Sequence, residues 1–210
     1  MKWVLMFFCC LPLLVCAQKG KKEVLYAFED TGSHLFGYKT KSGTIVLPPK
    51  YSKIFITDAD LFTMNTYRNF TGGFVYVSDN RGIVAIDRID SVLFEPVIFG
   101  GNPDELSEFS ERLVRFKEKG KIGFVNSKGE RVIPAIFDSV WWFDNGMAAF
   151  QEYKNGKWGF INRKGRIVIE AKYDKVIHPF SGGKAPVIYE GKEVVIDKKG
   201  RITPHFSNED

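Results

Sequence analysis

Beyond residue 16 the chain has no cysteine, because Cys9, Cys10 and Cys16 all lie in its first seventeen residues. With that segment removed, disulfides, thiol nucleophiles and Cys-ligated zinc or iron–sulfur centres are excluded, and stability must come from core packing. Histidine is scarce as well. His34, His178 and His205 stand far apart with no two-ligand spacing, so neither a metal nor a cofactor is expected. No stretch of Ala, Leu and Glu repeats at helical spacing, and neither a Gly-x-Ser-x-Gly elbow nor a Walker-type loop is present. The Gly-Gly pairs starting at 72, 100 and 182 read as bends. Asp58 and Asp60 match only a fragment of a calcium loop, without its glycine and terminal glutamate.

A concentrated charge is also missing. The formal +5 falls to +4 without Lys2, and the lysines are spread over turns at Lys41, Lys128, Lys164, Lys198 and Lys199. A pI near 9.0 without a basic stripe does not make a nucleic-acid surface, so no nucleic-acid partner is expected.

What is abundant is aromatic and turn chemistry, with 19 Phe, 8 Tyr and 20 Gly in 210 residues. That composition favours strands joined by tight turns. The chain then measures itself. Gly43, Gly129 and Gly165 each stand eight residues before an aromatic, at Tyr51, Phe137 and Tyr173. A second interval of seven residues recurs from Phe70 to Val77, Phe109 to Phe116, Phe143 to Phe150 and Phe180 to Val187. Between the two intervals the length varies, so insertions collect in one loop, as in repeat proteins built from one supersecondary unit. This spacing predicts five three-strand groups: Val24 to Leu47, Phe74 to Phe94, Leu113 to Ile133, Met147 to Ile169 and Ala185 to Ile202.

The best-kept copy begins Lys157-Trp158-Gly159-Phe160-Ile161-Asn162 and closes on Tyr173-Asp174. On these residues the chain resembles the bacterial WG-repeat (KWG) proteins over roughly residues 34–206. The Trp-Gly pair reads Phe36-Gly37 and Ile122-Gly123 in other copies, and Val84 replaces the glycine in the copy near Ile83. The resemblance implies tandem β-hairpin modules that serve as a binding scaffold, with no shared catalytic residue.

The fold expected is all-β: tandem three-stranded hairpin (WG) repeats in a curved open array, with a closed five-unit propeller-like ring as the alternative. The structural repeat core is expected at Phe36, Gly37, Tyr51, Gly123, Phe124, Phe137, Trp158, Gly159, Phe160 and Tyr173, together with Phe109 and Phe180. Gly159 lies on the strand face opposite Trp158 and Phe160, where it lets a neighbouring backbone approach. Asn162 to Gly165 and Asn126 to Gly129 read as tight turns with positive φ at the glycine.

Residues 1–17 pair Lys2 with an apolar run and end Val15-Cys16-Ala17, as a cleaved secretory signal does. The rival is a lipoprotein anchored through Cys16. The remaining divisions are an 18–33 leader carrying the first strand, a 34–206 repeat domain and a 207–210 polar tail.

Binding residues are expected on variable loops and on one aromatic pair. The loop from Thr57 to Asn69 carries Asp58, Asp60, Tyr67 and Arg68. The loop from Gly100 to Glu108 has Pro103 where a short helix could begin. In Trp141-Trp142, strand alternation puts one ring inside and the other out. Trp142 is the member expected outside, with His178 in its place one copy later. Asp138 and Asp174, in register after a repeat aromatic, read as turn formers. The function expected is a non-enzymatic, monomeric, exported scaffold binding a protein or glycan partner in the cell envelope or outside the cell. A polysaccharide-acting hydrolase is the alternative.

Overall fold

A computed structural model describes residues 23–55, 70, 72–98, 106 and 109–203. The signal segment, Asp58, Asp60, Tyr67, Arg68, Pro103, His205 and the polar tail lie outside the described residues. Within them the fold is all-β, with antiparallel pairing throughout and no sheet closed into a barrel.

The five expected groups are the units of the array. The first holds β1 (Tyr26–Glu29), β2 (Phe36–Lys39) and β3 (Ile45–Tyr51); the second holds β4 (Lys53–Phe55), β5 (Val75–Asp79), β6 (Gly82–Ile86) and β7 (Val92–Pro96). The third is β8 (Leu113–Glu118), β9 (Lys121–Asn126) and β10 (Arg131–Phe137). The fourth is β11 (Ser139–Val140), β12 (Met147–Gln151), β13 (Trp158–Asn162) and β14 (Ile167–Tyr173). The fifth is β15 (Lys175–Val176), β16 (Lys184–Tyr189), β17 (Lys192–Asp197) and β18 (Ile202–Thr203).

The short strands β4, β11 and β15 add to the three long strands of the expected unit. Each continues the third strand of the preceding unit after a single residue, Ser52, Asp138 or Asp174, and pairs with the first long strand of its own unit. At these three crossings the chain passes from unit to unit without a loop, whereas β7 and β8 are separated by residues 97–112. The backbone N–H of the crossing residue is satisfied in the same register each time, by Ser78 O, Gln151 O and Ile188 O.

Alternating side chains make every long strand two-sided. In β12, Ala148 and Phe150 face the third unit while Met147 and Ala149 face the fifth. The buried side chains accordingly fall into four clusters, each spanning two successive units. Among the described residues no buried cluster joins the first unit to the fifth.

The repeated glycine has a steric reason. A methyl group at Gly159 would stand 2.6 Å from Ile169 O, 2.8 Å from Ala171 N and 2.8 Å from Phe150 Cε1. At Gly123 it would meet Ile133 O at 2.5 Å, and at Gly37 Leu47 O at 2.6 Å. These contacts lie where the pairing shifts register, between Trp158↔Tyr173 and Phe160↔Ile169 and likewise in β2–β3 and β9–β10. The bulged strand pushes its backbone against the glycine.

Of the repeat aromatics, Tyr51, Phe124, Phe137, Phe160, Tyr173 and Phe180 are buried. Phe36, Phe109 and Trp158 are only half-buried, contrary to expectation. Phe36 and Trp158 are the first residues of their strands, at the border of the packed layer, so the core covers one side of each ring.

Candidate functional site: a tryptophan surface on the fourth unit

Turn chemistry claims one polar residue at the same place in each unit. Asn126, Asn162, Asp87 and Asp197 each use one side-chain oxygen to accept two backbone N–H groups of their turn, at 2.8–3.2 Å. Thr40 does the same once, accepting Thr44 N at 3.1 Å. Gly43, Gly129, Gly165 and Gly200 take positive φ beside them, and Asp90 fills that place in the second unit with φ 67°. Asp138 and Asp174 have a different task from the turn role expected of them. They sit at the crossings between units and pair with the lysine just before the Trp-Gly position, Lys121 at 3.0 Å for Asp138 and Lys157 for Asp174. Asp174 also accepts Gly191 N at 3.1 Å, and these bonds hold its carboxyl below the usual carboxylate range. Among the described residues no group of three His, Cys, Asp or Glu could hold a metal ion, and no helix is long and apolar enough to cross a membrane.

A polar network spans the first two units. Lys50, Tyr51 and Arg81 all donate to Asp90, and Arg81 also grips Asp79. Lys50, Asp79, Asn80 and Arg81 line a cavity of about 430 Å³ there. Every charge in it is matched, so the network acts as a clamp between units.

The fourth unit is different. Trp141 stacks on Trp142 at 5.7 Å and 16°, and meets Trp158 edge-on at 5.7 Å and 68°. Trp142 is 41% exposed, whereas Trp141 and Trp158 are half-buried. The crossing strand β11 leads into Trp141 and Trp142, with Trp141 N donating to Ala149 O at 2.9 Å, and β13 begins at Trp158. Ile177 N donates to Pro186 O at 3.0 Å in the same register of the fifth unit. His178 therefore occupies the place of Trp142 one unit on, and it too is exposed.

Arg115 completes the cluster, and sequence reasoning missed it. It is 6% exposed, donates from Nη1 to Val140 O at 3.1 Å, and lies 5.8 Å from the Trp142 ring centre. Burial pushes its guanidinium down to about 10. The available signal was register: Arg115 aligns with Ala149 and Pro186 on the inward face of later copies, where a charge is out of place. Tyr76 holds the same position in the second unit, buried, its hydroxyl without a partner among the described residues. The cluster thus combines stacked indoles, one edge open to solvent, and a desolvated cation beneath, a surface suited to stacking and hydrogen bonding rather than to proton transfer.

Three stretches of the chain, 36–58, 122–158 and 158–192, match the model of the WG containing repeat. The chain contains WG repeats. The stretch passed over, 59–121, includes the unit in which Val84 replaces the WG glycine. No functionally curated protein matches the chain. Among solved structures it is similar to Kluyveromyces lactis Hsv2, at 10% identity and a TM-score of 0.41, over 81% of this chain and 57% of that one. A form of Hsv2 with complete loop 6CD gives 10% and 0.41 over 87% and 62%. The chain spans about three fifths of the length of these structures.

Proposed function

We propose that this WG-repeat chain is a non-enzymatic scaffold, exported through its N-terminal segment, that binds a protein or glycan partner in the cell envelope or outside the cell. The observation that carries this reading is the Trp141–Trp142–Trp158 cluster over buried Arg115. A large aromatic kept partly in water beside a cation serves packing poorly and serves a sugar ring or a partner's side chain well. The repeat supports the same reading, because its ion pairs and turn carboxylates are in register from unit to unit, whereas catalysis needs one asymmetric constellation.

The test pairs retention of a partner from envelope extract, and binding across a glycan panel, with thermal melting. Trp142→Ala is expected to abolish retention while the melting midpoint stays put, because the exposed ring contributes little to the core. Undiminished retention by Trp142→Ala would remove the cluster from the binding face. Turnover of any glycan in the panel, lost on changing one carboxylate, would replace the scaffold with a hydrolase.

A further inference from the structure

β3, β10 and β14 share one layout. Each is seven residues long with its third and seventh residues buried, and each borders its sheet, paired on one side only. Ile169 O and Ala171 N point at Gly159 of β13. Across a trans peptide the C=O and N–H point opposite ways, so the N–H and C=O of Glu170 face outward, away from the sheet. The fourth residue of β14 therefore offers a free donor and acceptor.

In the other two strands that position is closed. Ile133 O and Ala135 N face Gly123, and Leu47 O and Pro49 N face Gly37. The residue turned outward is then Pro134 or Pro48, which has no N–H to give. β14 has no proline at all, and Ile167 and Val168 are each 43% exposed beside the open position.

The second unit provides the precedent. Its third strand β7 aligns with β14, Glu95 standing for Glu170, and there the outer side is taken: β8 adds antiparallel with Glu95 opposite Lys117 and Pro96 opposite Phe116. This addition fuses two units into the seven-stranded sheet. The charge around β14 selects the occupant. Lys164, Arg166 and Lys172 are exposed around a single acid, Glu170.

We propose that β14 is a docking edge for an extended acidic segment of a partner protein. The segment adds as an antiparallel strand along 167–171, bonded to the outward N–H and C=O of Glu170. Its apolar side chains lie on Ile167 and Val168 and its carboxylates near the three cations. This site is separate from the tryptophan surface, so Trp142→Ala leaves it intact.

The probe is a labelled ten-residue peptide alternating valine with glutamate, titrated into the full chain by fluorescence anisotropy, with a valine–lysine peptide as the charge control. The expected result is saturable one-to-one binding of the acidic peptide alone, weakened at least tenfold by Glu170→Pro. That variant imitates Pro134 and Pro48 at the same register, so the fold is expected to accept it. Reversing the charge around β14, with Lys164, Arg166 and Lys172 each changed to Glu, is expected to abolish binding of the acidic peptide. The proposal is overturned by absent saturation, by equal binding of the lysine peptide, or by binding that survives Glu170→Pro in a folded protein. A concentration-dependent dimer broken by Glu170→Pro overturns it too, making a second copy the occupant. Should Glu170→Pro not fold, undiminished binding of the acidic peptide by the charge-reversed chain overturns it alone.

Discussion

Tyr51 donates its phenolic hydrogen to Asp90 Oδ1 at 2.7 Å, and the bond crosses from the first unit to the second. Burial alone would raise the Asp90 carboxyl. The hydrogen bonds from Lys50, Tyr51 and Arg81 outweigh it and hold the group below its ordinary value. A carboxylate depressed in the folded state contributes stability above its unfolded pKa, about 3.9, and loses it as pH falls through the folded value. The chain is therefore expected to lose stability on acidification below about pH 4. Asp90→Asn, which keeps the shape and tolerates the positive φ, should flatten that limb in urea melts between pH 5 and 2. An unchanged acid limb would mean that the clamp contributes nothing.

The glycine of the WG pair should be irreplaceable where the bulge presses on it. Gly159→Ala puts a methyl 2.6 Å from a carbonyl oxygen with backbone on two sides, and only backbone movement relieves that. A loss of about 3 kcal/mol or more is expected, read from denaturant unfolding. A loss under about 1 kcal/mol would mean that the strand can shift aside.

The two aromatics of that strand should differ. Phe160 is buried between the fourth and fifth units, and Phe160→Ala should cost roughly 3–5 kcal/mol. Trp158 is half-buried, so Trp158→Ala should cost less, about 2–3 kcal/mol. Equal losses would contradict the border position of the tryptophan.

The turn acceptor acts unit by unit. Asn162→Ala leaves the N–H groups of Lys164 and Arg166 to water, and because the turn is exposed a loss of about 1 kcal/mol is expected. Asn126→Ala should do the same, and the double variant should add within about 0.5 kcal/mol.

The five-unit division was legible because the turn glycine, the aromatic eight residues on and the seven-residue interval are each enforced by a contact made once per unit. Gly165, for instance, packs on Ile133 of the unit before. The glycine at the WG position was legible for the same reason. The crossing strands were not. Two or three residues such as Ser139–Val140 carry no period of their own, and what defines them is a pairing partner in the next unit. Asp138 and Asp174 were read as turn formers because spacing reports register and not partner, and their lysines lie seventeen residues away in sequence. Of the candidate site, Trp142 is exposed as expected, but not by strand alternation: β11 ends at Val140 and the two indoles stack on one another instead of facing opposite sides. Arg115 was not legible, because only the packing of the third unit on the fourth puts it under that ring.

Each unit buries its faces against its neighbours alone among the described residues. Native-state amide hydrogen exchange on Phe160→Ala tests this directly. Faster exchange is predicted throughout β12–β14 and β16–β17, which share the damaged cluster, with β2, β3, β5 and β6 unchanged. Equal acceleration across all five units, or acceleration confined to β13, would contradict it.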